Sequence, residues 1–199
     1  MEKIETYHNY VSTVKLGLNT EKILQSCNYV ADDVIKRYGH LKGGYEAGKG
    51  IETTKLYNHY NFLMYPLPEM GRLYKNICHY FREISKSKEE CFIQCWVNIF
   101  NKGDYIDWHS HWPSELNTWH GFYCVNAEPS VTSYKIHGID NQIDVINKND
   151  QLVISPSGGD LHRTWDWEYE NPRVTIAFDI APGKNIDIED YENHWIPVI

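Results

Sequence analysis

The sequence predicts a mainly β protein in which N-terminal helices precede a double-stranded β-helix barrel of the jelly-roll or cupin type. Two stretches before residue 90 carry apolar residues at helical spacing, whereas the chain from Cys91 onward breaks into short strands separated by turn residues. Aromatic residues make up 14% of the chain, which suits a sheet-rich fold because flat rings pack well on pleated surfaces. A chain of 199 residues fits one domain with a core of ordinary size.

Two helices are predicted in the N-terminal part. The first runs from Asn19 or Thr20 to about Arg37, with apolar residues at helical spacing behind a plausible N-cap. The second runs from about Pro68 to Ser85, with Pro68 at the favoured first position. Between them, glycines at 43, 44, 48 and 50 indicate a long irregular connection, the kind of loop that often covers a site. We expect the helices to pack on the outside of one sheet.

Eight strands are predicted after the helices, and they indicate a barrel made of two sheets. Their ranges are 92–100, 104–112, 119–126, 131–137, 142–146, 151–155, 160–165 and 173–180. We therefore divide the single domain 1–199 into a helical and irregular support at 1–90, a barrel at 91–183 and a C-terminal tail at 184–199. The acidic run 187–192 is expected to be a solvated part of that tail.

The composition of the chain limits which partners the protein is expected to bind and in which cellular compartment it is expected to occur. The net charge of -8, without a run of Lys or Arg, makes nucleic acid an unlikely partner. No apolar stretch reaches the ~20 residues needed to span a bilayer, and the first residues lack the apolar core of a signal peptide. The 5 cysteines contain no CxxC pair and are expected to be reduced, buried thiols. We expect a cytoplasmic protein, and its oligomeric state stays open.

A pair of histidines is the first candidate metal site. In the segment 105–112, alternation places His109 and His111 on one side together with Asp107, and Ile106 on the opposite side. Neighbours on one side of a strand lie about 6–7 Å apart, so two imidazoles can converge on one Zn, Fe, Ni or Cu ion. The alternative is two solvent-facing histidines on an edge strand.

A second group of candidates lies near the end of the predicted barrel. His162 follows the turn 155–160, and Arg173 opens the last strand. Alternation there places Arg173 and Thr175 on a polar face with Ala177 and Asp179, opposite the apolar face of that strand. An Arg beside a hydroxyl makes a carboxylate receptor, since the guanidinium takes both oxygens and the hydroxyl adds a hydrogen bond. The alternative for Arg173 is a surface ion pair.

Taken together in their order along the chain, the motifs between about Cys95 and Pro182 resemble those of the iron(II)- and 2-oxoglutarate-dependent oxygenases. The resemblance is greatest to the subgroup that carries a His-x-His pair. The matching residues are Asn98, Gly103, His109-Ser110-His111, His120-Gly121-Phe122-Tyr123, Ser155-Pro156-Ser157, His162 and Arg173-Val174-Thr175.

The resemblance implies an enzyme with two cofactors, iron(II) and 2-oxoglutarate. His109, His111 and His162 would hold the iron. Arg173 and Thr175 would hold the far carboxylate of 2-oxoglutarate, with Asn98 touching it and with Tyr123 and Trp119 walling the pocket. Such an enzyme uses dioxygen to hydroxylate an unactivated C–H bond. The substrate, a small molecule or a peptide side chain, is not identified.

Two residues depart from the family pattern. Most of the superfamily has an acidic residue where this chain has His111, so the full dipositive charge stays on the metal. Asp107, which ranks after His111, and also Glu115 and Asp160 are the alternative acidic ligands. His120 replaces a small Ser of the subgroup and would crowd or extend the pocket.

Three other features rank lower as site candidates. His137 and His194 are expected to be surface groups. The aromatic run 165–169 is either part of the substrate mouth or a loop packed on the barrel.

Two other functions compete with the oxygenase. A cupin-type dioxygenase or isomerase with three histidines would bind its substrate on the metal without 2-oxoglutarate. Arg173 discriminates against it, since such an enzyme needs no cosubstrate anchor there. A catalytically inactive binding module is the other alternative, and the complete set of three histidines and Arg173 argues against it.

Overall fold

A computed structural model describes residues 3–41, 48–50, 52–138, 140–157, 160–186 and 194–199. Its helices are α1 (Thr20–Tyr38), α2 (Glu52–Lys55) and α3 (Met70–Ser85). Its strands are β1 (Glu5–Tyr7), β2 (Val11–Lys15), β3 (Gly48–Lys49), β4 (Cys91–Phe100), β5 (Tyr105–His109), β6 (Trp119–Asn126), β7 (Ser130–Lys135), β8 (Ile143–Asn147), β9 (Gln151–Pro156), β10 (Leu161–Thr164), β11 (Arg173–Pro182) and β12 (Ile196–Pro197). Positions 42–47 and 51 of the predicted irregular connection and the acidic run 187–192 lie outside the described residues. The described part of that connection contains β3, α2 and two short 3₁₀ turns.

The strands form two antiparallel sheets that face each other. The seven-stranded major sheet has the order β1-β2-β9-β6-β11-β4-β12, and the five-stranded minor sheet has the order β3-β5-β10-β7-β8. From β4 to β11 the chain passes repeatedly from one sheet to the other, with only β7 and β8 following each other in the same sheet, as expected for a jelly roll. The predicted double-stranded β-helix is confirmed. The division of the chain at residues 90 and 183 stays a prediction, although β1, β2 and β12 of the flanking segments pair within the major sheet.

The two long helices cover the outer face of the major sheet, as predicted. Val174, Ile176, Phe178 and Ile180 of β11 are completely buried in one cluster with apolar residues of α1 and α3. Asn19 caps α1 by accepting a hydrogen bond from the Lys22 amide at 3.1 Å.

The second helix begins later than predicted. α3 starts at Met70 rather than Pro68, because Glu69 adopts a left-handed backbone with φ of 67°. A residue in that conformation cannot belong to a right-handed helix, so Pro68 does not occupy the first helical position.

Four strands of the structure were not predicted from the sequence. β1, β3 and β12 have only two or three residues each, and each exists because a neighbouring strand offers it backbone partners. In β2 the first four residues are all buried, with β9 beside them, so the strand lacks the polar–apolar alternation that marks a half-exposed strand.

Cysteine and membrane predictions can be compared with the structure directly. All five cysteines are free and buried, as predicted. Burial raises the pKa of the Cys124 thiol to about 12, so this cysteine is a packing residue and not a nucleophile. Within the described part of the chain, no helix combines the length and apolarity needed to cross a bilayer.

Gly121 in β6 provides a test of the packing between the sheet and its helices. A Cβ at this position would lie 2.2 Å from the Val153 carbonyl oxygen and 2.4 Å from Cζ of Phe178. We therefore expect Gly121→Ala to lower the free energy of unfolding by about 1–3 kcal/mol, as overpacked cores do. Urea unfolding followed by circular dichroism measures this.

The matched control is Gly71→Ala in α3, where an added Cβ meets no atom within 4 Å. This variant should be neutral or gain up to about 1 kcal/mol from helix propensity. Equal stability of the Gly121→Ala variant and the unaltered protein would contradict the packing described here.

Candidate metal and cosubstrate site

A cavity of about 330 Å³ lies between the two sheets. The minor sheet and the segment that follows β5 contribute His109, His111 and His162 to its wall. The major sheet contributes Asn98, Arg173 and Thr175. The structure thus brings together six of the eight residues that the sequence predicts for the site.

A β-bulge in β5 sets the direction of His109. Ile106 pairs with Thr164 and His109 pairs with His162, so β5 has one residue more than β10 over the same stretch. Both Ile106 and His109 consequently line the cavity, although strict alternation predicted opposite sides. That prediction is wrong here because an inserted residue shifts the alternation by one. The chain leaves the strand after His109, and His111 reaches the cavity from the following irregular segment.

Hydrogen bonds fix the tautomers of two of the histidines. His109 Nδ1 lies 2.7 Å from the carbonyl oxygen of Asp107, and His111 Nδ1 lies 2.6 Å from Oδ1 of Asp179. Both oxygens can only accept, so in the neutral rings the proton sits on Nδ1 and the lone pair sits on Nε2. The two Nε2 atoms are 3.3 Å apart. Two lone pairs at that distance repel unless a cation lies between them.

The third histidine completes a ligand set. One ring nitrogen from each of His109, His111 and His162 lies within 4.8 Å of the others. Burial, and after it the charge of neighbouring histidines, lowers the pKa of His109 to about 3 and holds the pKa of His162 well below its usual range. Both rings are therefore neutral near pH 7, which is the form that binds metals. Imidazole ligands suit Fe, Zn, Ni or Cu.

The structure does not bring the alternative acidic ligands to this cluster. Asp107 is exposed, and its carboxylate accepts the Trp108 amide at 2.7 Å. Asp160 accepts the Tyr10 hydroxyl and the His137 amide outside the cavity. Glu115 is exposed on the turn Ser114–Leu116. Among the described residues, the group able to hold an ion consists of three histidines.

Arg173 forms a cationic wall in the same cavity. Its side chain is only 2% exposed, and burial lowers its pKa to about 10, so it remains charged near pH 7. Its Nε donates to Oγ of Ser130 at 3.1 Å, and its guanidinium carbon lies 4.9 Å from the centre of the Phe100 ring. No carboxylate in the described part of the chain forms an ion pair with it. A buried cation without a counter-charge is costly, and an anionic ligand would remove that cost.

A chain of hydrogen bonds lies in the same cavity wall as Arg173. Thr175 lies opposite Asn98 in the pairing of β11 with β4. The Asn98 amide donates to Oγ1 of Thr175 at 3.5 Å, and the Thr54 hydroxyl donates to Oδ1 of Asn98 at 2.5 Å. Thr54 belongs to α2, whose Thr53 also donates to the Val97 carbonyl at 2.7 Å. No sequence pattern indicates Thr54, because α2 lies in the stretch that was predicted to be irregular.

Solved structures with this architecture include several oxygenases. A prolyl hydroxylase from Trichoplax adhaerens, in complex with a hypoxia inducible factor oxygen degradation domain peptide, matches with a TM-score of 0.62 and 11% identity over 89% of this chain and 86% of that one. The alpha-ketoglutarate-dependent carbocyclase SnoK of nogalamycin biosynthesis matches with a TM-score of 0.59 and 10% identity over 88% and 81%. HygX from Streptomyces hygroscopicus, with nickel and 2-oxoglutarate bound, matches with a TM-score of 0.55 and 9% identity over 87% and 82%.

The chain has the fold of the 2-oxoglutarate- and iron(II)-dependent oxygenases. The family resemblance read from the sequence is thus confirmed at the level of the fold. No protein-family model matches the chain, and a search of curated proteins finds no match.

Two residues of β6 that were predicted to wall the pocket lie on the face of the major sheet that points away from the cavity. Tyr123 donates to Oδ1 of Asp150 at 2.8 Å within the helix-covered core, and Trp119 packs edge-on against Phe81 of α3 at 5.8 Å. In β6 the even-numbered His120 and Phe122 line the cavity instead. The prediction for Tyr123 and Trp119 is wrong, since odd-numbered side chains of this strand point to the opposite face of the sheet.

Two cavity residues received less weight from the sequence than the structure gives them. His120 is 4% exposed, its ring stacks on His162 at 4.3 Å and 20°, and its Nε2 lies 2.8 Å from Oγ of Ser155. It therefore supports the His162 ring. The sequence predicts only that Asp179 lies on the polar face of the last strand. The structure shows that this face lines the cavity. Asp179 and His111 are far apart in the chain, so no local sequence pattern predicts their contact.

The remaining candidates lie outside the cavity. Trp167 is buried against Phe100 and Ile106, and its Nε1 donates to the Asn171 carbonyl at 2.6 Å, so this aromatic run includes a packed loop. His137 is exposed, as predicted. His194 is half-buried, and its carbonyl accepts the Asn61 side chain at 2.7 Å.

The candidate metal site is tested by removing the imidazole of His162. We expect His162→Ala to weaken Fe(II) or Ni(II) binding by more than about 100-fold, since losing a ligand costs more than losing a group that only orients one. Calorimetry under anaerobic conditions measures the affinity. His137→Ala is the control and should bind the metal as the unaltered protein does. Equal affinities of the two variants would show that His162 is not a ligand.

Proposed function

We propose that this protein is an iron(II)- and 2-oxoglutarate-dependent oxygenase that hydroxylates an unactivated C–H bond. One observation supports this above the others. A single cavity of about 330 Å³ contains both a cluster of three imidazoles placed to hold a cation and a buried guanidinium that needs an anion. The proposed cofactors supply both charges, because iron(II) is the cation and 2-oxoglutarate carries two carboxylates.

The residues that would hold each cofactor follow from this arrangement. His109, His111 and His162 would hold iron(II), and Arg173 would bind the far carboxylate of 2-oxoglutarate. When bound, the iron supplies the activation of dioxygen that converts 2-oxoglutarate, O₂ and R–H into succinate, CO₂ and R–OH.

Thr175 is oriented to assist Arg173. The Thr54 hydroxyl donates to Oδ1 of Asn98, which turns the Asn98 amide group toward Oγ1 of Thr175. Because this hydroxyl oxygen accepts from Asn98, its own proton is available for a carboxylate. Arg173 and Thr175 would thus fix the cosubstrate by charge-assisted hydrogen bonds.

The substrate would enter through an aromatic part of the cavity wall. Tyr57, Trp96, Trp112 and Trp195 all line the cavity, and the Tyr57 and Trp96 rings lie 5.4 Å apart. Large rings exclude water from the space beside the histidines, which protects a reactive oxidant from side reactions.

The substrate class and the setting of the enzyme are also proposals. We infer a small molecule or a peptide side chain as substrate, since the similar structures include an enzyme of nogalamycin biosynthesis and a prolyl hydroxylase bound to a peptide. The net charge of -8 argues against nucleic acid. The five free, buried cysteines support a cytoplasmic location.

One observation favours a different enzyme. The three candidate ligands are all imidazoles, as in cupin-type dioxygenases and isomerases that do not use 2-oxoglutarate. The buried Arg173 in the same cavity argues for the oxygenase, since a cupin-type reaction leaves this charge without a partner.

The deciding experiment is release of succinate from 2-oxoglutarate by the iron(II)-loaded protein, with and without candidate substrates. We expect slow uncoupled turnover without substrate. A protein that releases no succinate and binds no 2-oxoglutarate in calorimetry would overturn the proposed function. Binding of 2-oxoglutarate without any turnover would identify an inactive binding module.

Arg173 is tested separately from the metal. We expect Arg173→Ala to weaken 2-oxoglutarate binding by about 2–4 kcal/mol, or roughly 30- to 1,000-fold, while metal binding persists. Thr175→Val keeps the shape of the side chain and removes one hydrogen bond, so a loss of about 2- to 13-fold is expected. Titration of the metal-loaded variants with 2-oxoglutarate measures both changes.

Arg37→Ala is the control, because this arginine is exposed on α1 and pairs only with the nearby Asp33 among the ion pairs of the described residues. Its affinity for 2-oxoglutarate should be unchanged. If Arg173→Ala binds 2-oxoglutarate as tightly as this control, Arg173 does not anchor the cosubstrate.

A further inference from the structure

We propose that Asp179 is a positioning residue of the metal site, which fixes His111 and supplies the negative charge that the three-histidine ligand set lacks. The inference rests on the metal site of the proposed function. It concerns a carboxylate that touches a ligand and not the metal itself.

The first argument is the position of His111 in the chain. His111 lies beyond the end of β5, where the backbone no longer pairs in the minor sheet. Asp179 lies in the long strand β11, which pairs with β6 on one side and β4 on the other within the major sheet; it is 6% exposed and faces the same cavity. Its Oδ1 accepts from His111 Nδ1 at 2.6 Å, and its Oδ2 accepts from Trp112 Nε1 at 3.0 Å. One carboxylate therefore ties an irregular segment to a rigid strand across the barrel.

The second argument is that this position requires a carboxylate. His111 Nδ1 and Trp112 Nε1 are both donors, and only an ionised carboxylate offers an acceptor oxygen to each. An asparagine has one oxygen, so it could accept from one of the two. If that oxygen faced Trp112, the amide group would face His111 Nδ1 and would move the imidazole proton to Nε2. That nitrogen is the one the metal needs.

The third argument is the charge of the cavity. Among the described residues that line it, Arg173 and Asp179 are the groups other than histidine that carry a formal charge near pH 7. Iron(II) and Arg173 would bring three positive charges, and Asp179 and 2-oxoglutarate would bring three negative ones. The formal charges of the loaded cavity then sum to zero. The sum would be the same if a carboxylate ligand at position 111 replaced the carboxylate of Asp179. Asp179 would thus supply the missing negative charge from a side chain that contacts the candidate ligand His111 and not the metal itself.

These arguments predict two opposite changes in the Asp179→Asn variant. Its affinity for Co(II), measured anaerobically by calorimetry, should fall by about 10- to 100-fold, the range found when a partner of a metal-binding histidine is removed. The affinity of the Co(II)-saturated variant for 2-oxoglutarate should stay equal or rise, since the cavity has lost a negative charge.

Asp160→Asn is the matched control, because Asp160 is also a buried carboxylate that accepts two hydrogen bonds, from Tyr10 and His137, outside the cavity. It should bind Co(II) as the unaltered protein does. Trp112→Phe is a second variant that keeps the charge and removes one hydrogen bond to Asp179. A smaller, few-fold loss of Co(II) affinity is expected there, and this variant decides the question if Asp179→Asn does not fold.

Three results would overturn the inference. The first is unchanged Co(II) affinity in Asp179→Asn, or in Trp112→Phe if only that variant folds. The second is a joint fall of Co(II) affinity, 2-oxoglutarate affinity and melting temperature, which marks a merely structural role. The third is an unaltered protein that binds no Co(II), which also removes the proposed function. Metal binding that depends on Asp179 without any succinate release would instead overturn the proposed function alone.

Discussion

The pairing of β5 with β10 across a bulge is the constraint on which the site depends. It sets His109 opposite His162 and turns Ile106 and His109 toward the same side. Without the extra residue, the alternation of the strand would point one of these two side chains at the solvent. Because both sheets present their inner faces to one cavity, the histidines of the minor sheet then lie in the same cavity as Arg173 and Thr175 of the major sheet.

The cavity combines two groups that are unfavourable in isolation. Facing imidazole lone pairs need a cation, and a buried guanidinium without an acidic partner needs an anion. A protein accepts such costs where a ligand removes them. The helices on the outer face of the major sheet contribute by keeping β11 rigid, since the residues between Arg173 and Asp179 alternate into their apolar core. One strand therefore positions both Arg173 and the carboxylate that contacts His111.

The sequence predicted the barrel, the two long helices and most of the site because these features have local patterns. The alternation after Arg173 assigned the correct face of β11, and the order of His109, His111, His162 and Arg173 indicated the site. Prediction from the sequence failed where the geometry of the site is set by contacts between residues that are far apart in the chain. The bulge arises from pairing with β10, and the contact between His111 and Asp179 joins residues 68 positions apart. Tyr123 is a different case, because the alternation of β6 is a local pattern and the family resemblance assigned Tyr123 to the wrong side of it.

Helix α2 has a consequence for how the N-terminal segment and the cavity communicate. Four residues cannot form a stable helix alone, so α2 keeps its shape through the bonds of Thr53 and Thr54 to β4. Thr54 reaches Asn98, which in turn contacts Thr175 at the anion-binding wall. A carboxylate that orders Thr175 therefore also favours the docked state of α2, and docking of α2 favours the carboxylate to the same extent. Amide hydrogen exchange in residues 52–55 would carry the signature of this reciprocal coupling.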